Sequence, residues 1–417
     1  MHEDKQPWCV NFVRRDRDHW QDKPTPGAWA APARPAPEPG RAEMLPEIDA
    51  LRGLAILMVL ANHVALVMPG LSAPVLALAR FGQMGVQLFF VASACTPCLS
   101  WRQRRQDEPQ PVQRFLARRF FRIAPLYFLG VAICAGLHYS QPGVLAAAPC
   151  TATNVLANLL FVHGFVPAAQ NSIVPGGWSI GVEMAFYALF PLLIWAQAAL
   201  PENAAELPVA LCGAAVGLAV GLELELALNL GMQAATAGVV ANNSAAYFHP
   251  LNQLPVFLIG MALFQCQGRA ALPRLWLIAA FGVASLLTTA LLWRNRLALA
   301  FALVPTTAGL AFVALACIAS RLPLRWGEGL PARLCAVGRL SFAIYVIHVL
   351  FAWHALRPLA LAGGWQGDAA YFMAPAAVTL LSCGAARRLA RRIERPGIAI
   401  GRALIQSWSW PSPVRAR

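Results

Sequence analysis

The chain has 417 residues, is 58% hydrophobic and only 12% charged, and has a mean hydropathy of +0.54. That composition excludes a soluble globular or disordered protein and implies an all-α polytopic membrane protein. The net charge of +14 does not make it a nucleic-acid binder. Residues 1–44 hold seven basic and seven acidic side chains, so the excess lies among the hydrophobic segments, where it marks orientation.

In chain order, the start MHEDKQPW is too polar for a signal peptide, and the Pro- and Ala-rich stretch from Lys23 to Gly40 makes residues 1–44 a disordered tail. Met44 stands just before the first apolar segment, so residues 1–43 are expected to be dispensable or a mis-assigned start. A membrane domain follows over residues 45–400. About ten spans of about 17–23 residues are expected, at 51–68, 84–101, 123–140, 178–198, 207–229, 252–267, 274–293, 298–319, 340–357 and 370–387. The run 152–166 is too short to span and is placed at the outer interface, or re-entering there. The short tail 401–417 has no room for a second soluble domain.

Arginines set the direction. The loop 102–122 contains seven, further ones fall at 269, 274, 321, 325, 333 and 339, and RRLARRIERPG follows the last span, whereas the alternate loops hold few. Both termini are therefore expected in the cytoplasm. The ten cysteines form no disulfide framework. Cys95-Thr-Pro-Cys98 has redox spacing but lies within a hydrophobic run, so it is read as packing.

Four segments carry chemistry. In the first span, Arg52 and His63 are eleven steps apart, which returns both to one helical face about 16 Å apart along the axis. His63 then lies near the bilayer midplane, where an ionisable group is a functional candidate. In the third span, Arg119 and Arg122 are i, i+3 neighbours at the cytoplasmic mouth, suited to phosphate, with Tyr127 following; taken alone they read first as positive-inside anchors. In the fourth, Ser179, Glu183 and Tyr187 form a polar stripe, and depth counting puts Glu183 within a few ångströms of the level of His63. A carboxylate beside an imidazole orients it as a general base; the alternative is an ion pair holding the bundle together. In the ninth, Ser341, Tyr345 and His348 share a face, His348 being a catalyst or a structural hydrogen-bonding group. His138, His163 and His249 fall near outer boundaries. No cluster has metal-ligand spacing, and there is no Walker loop or dinucleotide fingerprint.

These blocks together resemble the acyltransferase 3 family of bacterial integral-membrane acyltransferases. IDALRGLAILMVLANH (48–63) is similar to its Arg-x10-His motif, and GVQLFFVAS (85–93), RRFFRIAPLY (118–127), GGWSIGVEMAFYALFP (176–191) and LSFAIYVIH (340–348) follow in the family's order. The resemblance implies transfer of an acyl group, often acetyl, from cytoplasmic acyl-CoA to an acceptor such as a cell-surface glycan, in a bacterial inner membrane. It maps the family's motifs onto Arg52 and His63, Arg119 and Arg122, and Trp178, Ser179 and Glu183. The chain departs from the family at Ser93-Ala94-Cys95, where Ser-Gly-Phe is common, and at Glu183-Met184, where Glu-Glu is common.

The expectation is an acyl-CoA-dependent O-acyltransferase. Its catalytic residues are His63, as base or transient acyl carrier, and Glu183, which orients His63. Arg52, Arg119 and Arg122 hold the acyl-CoA, and Trp178, Ser179, Tyr187, Tyr345 and His348 line the substrate path. Its partners are acyl-CoA, a hydroxyl acceptor and the lipid bilayer, with no metal and no nucleic acid. The competing class is a proton-coupled transporter with a His63–Glu183–His348 relay, for which no broken helices in paired halves are visible. A sensor or scaffold would leave these buried charges without chemistry.

Overall fold

Helix α1 (Pro46–Val67) forms where the first span is expected. Pro46 sits in the first turn, where a missing N–H costs nothing, and Glu47 and Asp49 lie at the positive end of the helix dipole. The helix stops at Pro69-Gly70, Gly70 having a φ of +75°. The computed structural model describes residues 45–105, 108–140, 150–198, 213–222, 247–266, 274–295, 298–322 and 324–408. The expected N-terminal tail, much of the fifth expected span and the end of the C-terminal tail lie outside them.

Helix α2 (Ala73–Phe81) joins α3 (Gly85–Arg104) through a single tight turn. Then come α4 (Pro111–Ser140), the short α5 (Ala152–Leu159), α6 (Trp178–Ala198), α7 (Gly213–Leu222), α8 (Pro250–Cys266), α9 (Leu275–Asn295), α10 (Ala298–Arg321) and α11 (Gly329–Arg339). Helix α12 (Ser341–Leu361) contains a π turn at Ala352–Leu356, and α13 (Gly367–Ser407) contains one at Ala390–Glu394. No strand occurs among the described residues. Eight of these helical runs are long and apolar enough to cross a membrane. The described part of the fifth expected span, residues 213–222, is the shorter apolar helix α7, and the sixth coincides with the shorter apolar helix α8. The chain is an all-α polytopic membrane protein.

Helix α1 is the axis of the bundle, packed against α2, α3, α10, α11, α12 and α13. Helix α9 sits outside and shows Phe281, Val283, Leu287 and Leu291 outward, as a lipid-facing helix does. Helix α13 has 41 residues and is about 60 Å long, twice the bilayer core. Its arginine-rich end therefore runs beyond the apolar layer, packing Gly397 and Gly401 against Pro125 and Phe121 of α4. The helix continues to Ser407, seven residues into the stretch assigned to the tail.

Where α11 crosses the first turns of α1 the backbones touch. A Cβ on Gly53 would strike the Leu334 carbonyl, and one on Gly338 would strike the Asp49 carbonyl. Close approach of small residues is how helices associate without a hydrophobic driving force. Replacing Gly338 by valine should lower the unfolding free energy in detergent by about 1–3 kcal/mol or more. Gly384→Ala, whose Cβ would meet nothing within 4 Å, should leave it unchanged or higher. Tryptophan-fluorescence melts check both.

Candidate functional site

Between α5 and α6 the chain forms little regular structure, only a short 3₁₀ turn at His163–Phe165, yet residues 172–177 are buried. Buried backbone needs partners, and side chains supply them. Asn154 Nδ2 donates to Ala168 O at 3.1 Å and Gln170 Nε2 to Gly164 O at 2.9 Å, while Asn171 Oδ1 accepts from Gly176 N at 2.8 Å. His163, fully buried, reaches Gly177 O at 3.0 Å through Nε2 and lies 3.3 Å from Tyr127 Oη, which donates to Asn158 Oδ1 at 2.7 Å. The segment thus carries the chain into the bundle before α6 begins. Gly176, with a φ of +79°, arrives where a Cβ would lie 3.1 Å from Tyr345 Oη and 3.6 Å from His63 Cε1. No other residue type fits that conformation and that space without strain.

This placement corrects the expected partner of His63. Because α6 starts at the level of His63 and not at the outer surface, Glu183 lies more than a turn further toward the arginine-rich side. There it accepts a 2.5 Å hydrogen bond from Tyr187 Oη. Among the described residues no hydrogen bond or ion pair joins Glu183 to either histidine, so the three-member relay of the transporter alternative is not assembled. Instead His63 Nδ1 stands 2.7 Å from Nε2 of His348, which is fully buried. His63 itself is half-buried, with Trp353 edge-on to its ring at 6.4 Å.

Glu183 and Tyr187 belong to a cleft of about 710 Å³, counting the part open to solvent. Arg52, Arg122 and Arg339 line it together with Glu394. Arg339, whose side chain is 54% exposed and 3.8 Å from Asp49, marks its open side. Arg52 is held from behind by Thr96, its Nη2 donating to Oγ1 at 2.9 Å. Val86, Phe89, Phe90 and Phe342 give the cleft an apolar wall. It also reaches Ser179 and Tyr345, whose hydroxyls are 2.7 Å apart. Tyr345 Oη donates to Gly176 O at 2.7 Å, so the Ser179 hydroxyl is the donor between the two.

Of the expected site residues, the fold brings Arg52, Arg122, Ser179, Glu183, Tyr187 and Tyr345 to this cleft and pairs His63 with His348 behind Gly176. Two are placed otherwise. Arg119 is not at the mouth: it is 6% exposed, its guanidinium over the rings of Phe115 and Tyr187 at 5.3 and 5.0 Å, where it supports the Tyr187–Glu183 pair. The i, i+3 spacing from Arg122 rotates it by about 60° on the helix, enough to turn one arginine into the core. Trp178 does not line the cleft; it is packed among Phe90, Tyr247 and Phe248.

Sequence reasoning missed four positions. Arg339 and Glu394 were read only as parts of basic loops, and Glu394 reaches the cleft from a π turn, which has no sequence signal. His163 was assigned to an outer boundary and is instead the buried anchor of the loop. Trp353 was not singled out, although it lies on the stretch that carries His348.

The acyltransferase 3 family, described as an acyltransferase domain, matches residues 45–388. Acyltransferase MdmB of Streptomyces mycarofaciens is 29% identical over 162 residues, 37% of this chain and 40% of that protein. Regulator of hypoxia-inducible factor 1 of Caenorhabditis elegans is 29% identical over 182 residues, 37% of this chain and 35% of that protein. The chain spans less than half the length of the curated relatives it matches. No solved structure matches it.

Replacing His163 by leucine removes the donor to Gly177 O and should cost about 1–3 kcal/mol for the unpaired carbonyl. The expected outcome is a lower thermal midpoint in detergent, larger than that caused by His138→Leu, whose ring accepts only a 3.3 Å bond from Cys150 N.

Proposed function

The chain belongs to the acyltransferase 3 family, and we propose that it moves an acyl group, acetyl in the simplest case, from cytoplasmic acyl-CoA to a hydroxyl of an extracytoplasmic acceptor, such as a cell-surface glycan, in a bacterial inner membrane. The observation that carries this reading is the continuity of the site. One cleft runs from three guanidinium groups to the Ser179–Tyr345 hydroxyls, and Tyr345 Oη bonds to Gly176, the glycine whose missing Cβ would lie 3.6 Å from His63 Cε1.

In this reading Arg52, Arg122 and Arg339 take the phosphates of the nucleotide, planar forks being matched to phosphate oxygens. The pantetheine arm lies along Phe89 and Phe342 and delivers the thioester to the hydroxyl pair. His63 accepts the proton of the acceptor hydroxyl, whose oxygen attacks the thioester carbonyl. The C–S bond breaks, the new ester forms, and the proton passes from His63 to the leaving thiolate, giving free CoA. Tyr345 Oη turns its one hydrogen from Gly176 O to the oxyanion of the tetrahedral intermediate, while Ser179 Oγ donates to Tyr345 Oη and holds it in place. Glu183, fixed by Tyr187, balances the arginines of the cleft without contributing to the proton transfer.

The test supplies labelled acetyl-CoA to inverted membrane vesicles containing the full chain and measures label transferred to envelope material. His63→Ala should abolish transfer; retained transfer would sink the scheme. Arg52→Ala and Arg122→Ala should each raise KM for acetyl-CoA about 10–100-fold, as expected for one charge-assisted bond. Tyr345→Phe should lower kcat about 10–1,000-fold with KM little changed, the usual size of an oxyanion donor.

A further inference from the structure

The His63–His348 contact carries more than proximity, because the second ring is itself fixed. His348 lies on α12 with no exposed surface, and its Nδ1 is 3.1 Å from Ile344 O and 2.8 Å from Tyr345 O. Carbonyl oxygens only accept, so Nδ1 must carry hydrogen. A neutral imidazole has a single N–H, which leaves a lone pair on Nε2. No acidic side chain bonds to His348 among the described residues, so nothing there compensates an imidazolium. His63 Nδ1, 2.7 Å from that lone pair, is therefore the donor. The lone pair of His63 then falls on Nε2, to which no group among the described residues is hydrogen-bonded.

We propose that His348 is the positioning residue of this site: it fixes the tautomer and the ring plane of His63, so that Nε2 is the atom that takes the acceptor's proton. The proposal rests on the acyl-transfer reading and deepens it. The chain of bonds runs from the helix carbonyls to the Nδ1 hydrogen of His348, and from its Nε2 to the Nδ1 hydrogen of His63. When Nε2 of His63 is protonated, the positive charge of the imidazolium strengthens its bond to His348. The arrangement does the work a carboxylate does behind a catalytic histidine, and it does so without placing a permanent charge inside the bundle. Tyr345 serves both halves of the site: its carbonyl orders His348 and its hydroxyl orders Gly176.

The tautomer can be read directly. Free neutral histidine favours hydrogen on Nε2, so hydrogen on Nδ1 at these two rings, assigned by variants, is a distinctive signature. Full-length protein labelled with ¹⁵N-histidine, purified in nanodiscs, should give imidazoles with hydrogen on Nδ1, of which one is absent from His63→Gln and another from His348→Gln. A His63 ring with hydrogen on Nε2 would overturn the proposal, whether or not the protein transfers acetyl groups. In the vesicle assay with acetyl-CoA, His348→Leu should lower kcat about 100-fold or more with KM for acetyl-CoA within about twofold. His348→Gln, whose amide oxygen can replace Nε2 as acceptor, should recover kcat to within about tenfold of wild type. A His348→Leu protein with wild-type kcat would contradict the positioning role. If His63→Ala also transferred normally, the acyl-transfer reading would fail separately.

Discussion

A membrane interior supplies no water to unpaired backbone, and the whole site depends on how this chain meets that constraint at the buried residues 172–177 that lead into α6. Irregular backbone is tolerated at depth only where protein surrounds it. Here Asn154, His163, Gln170 and Asn171 close the peptide groups that helix geometry leaves open. With that loop secured, α6 starts inside the bundle, Gly176 lies against His63, and Ser179 meets Tyr345 from the opposite helix. Without it, α6 would begin at the surface and the stripe of Ser179, Glu183 and Tyr187 would face a different depth.

The charges are arranged by the same economy. The arginines that line the cleft come from α1, α4 and α11, where Arg52 leans on Thr96 and Arg339 on Asp49. Glu183 is paired with Tyr187, and Arg119 covers that tyrosine from its other face. Beyond the hydroxyl pair the site becomes formally neutral, two imidazoles in series against two carbonyls. Charge sits where the cleft opens and hydrogen bonding takes over further in. That gradient suits a cofactor with a charged head and an uncharged reactive end.

Much of this was legible in the sequence. Helix periodicity placed Arg52 and His63 on one face, and α1 carries them as a single uninterrupted helix. The i, i+4, i+8 stripe on α6 and the Tyr345–His348 face on α12 also hold, because regular helices preserve phase. What failed was depth. Counting from a presumed outer surface put Glu183 beside His63, since no periodicity announces a buried loop before a helix. Pairing between distant segments was equally hidden: His63 and His348 are 285 residues apart, and either alone reads as a solitary polar group. Arg119 shows the limit of proximity arguments on one helix, where a single turn separates a cleft-lining side chain from a core one.

The central claim is that the arginine-lined cleft delivers a thioester to the hydroxyl pair next to His63. A cryo-EM structure of the full chain with a non-hydrolysable thioether analogue of acetyl-CoA tests it most directly. The account predicts phosphates against Arg52, Arg122 and Arg339, with the sulfur beside Tyr345 and Ser179. Phosphates bound elsewhere on the arginine-rich face, or a sulfur that never enters the cleft, would contradict it.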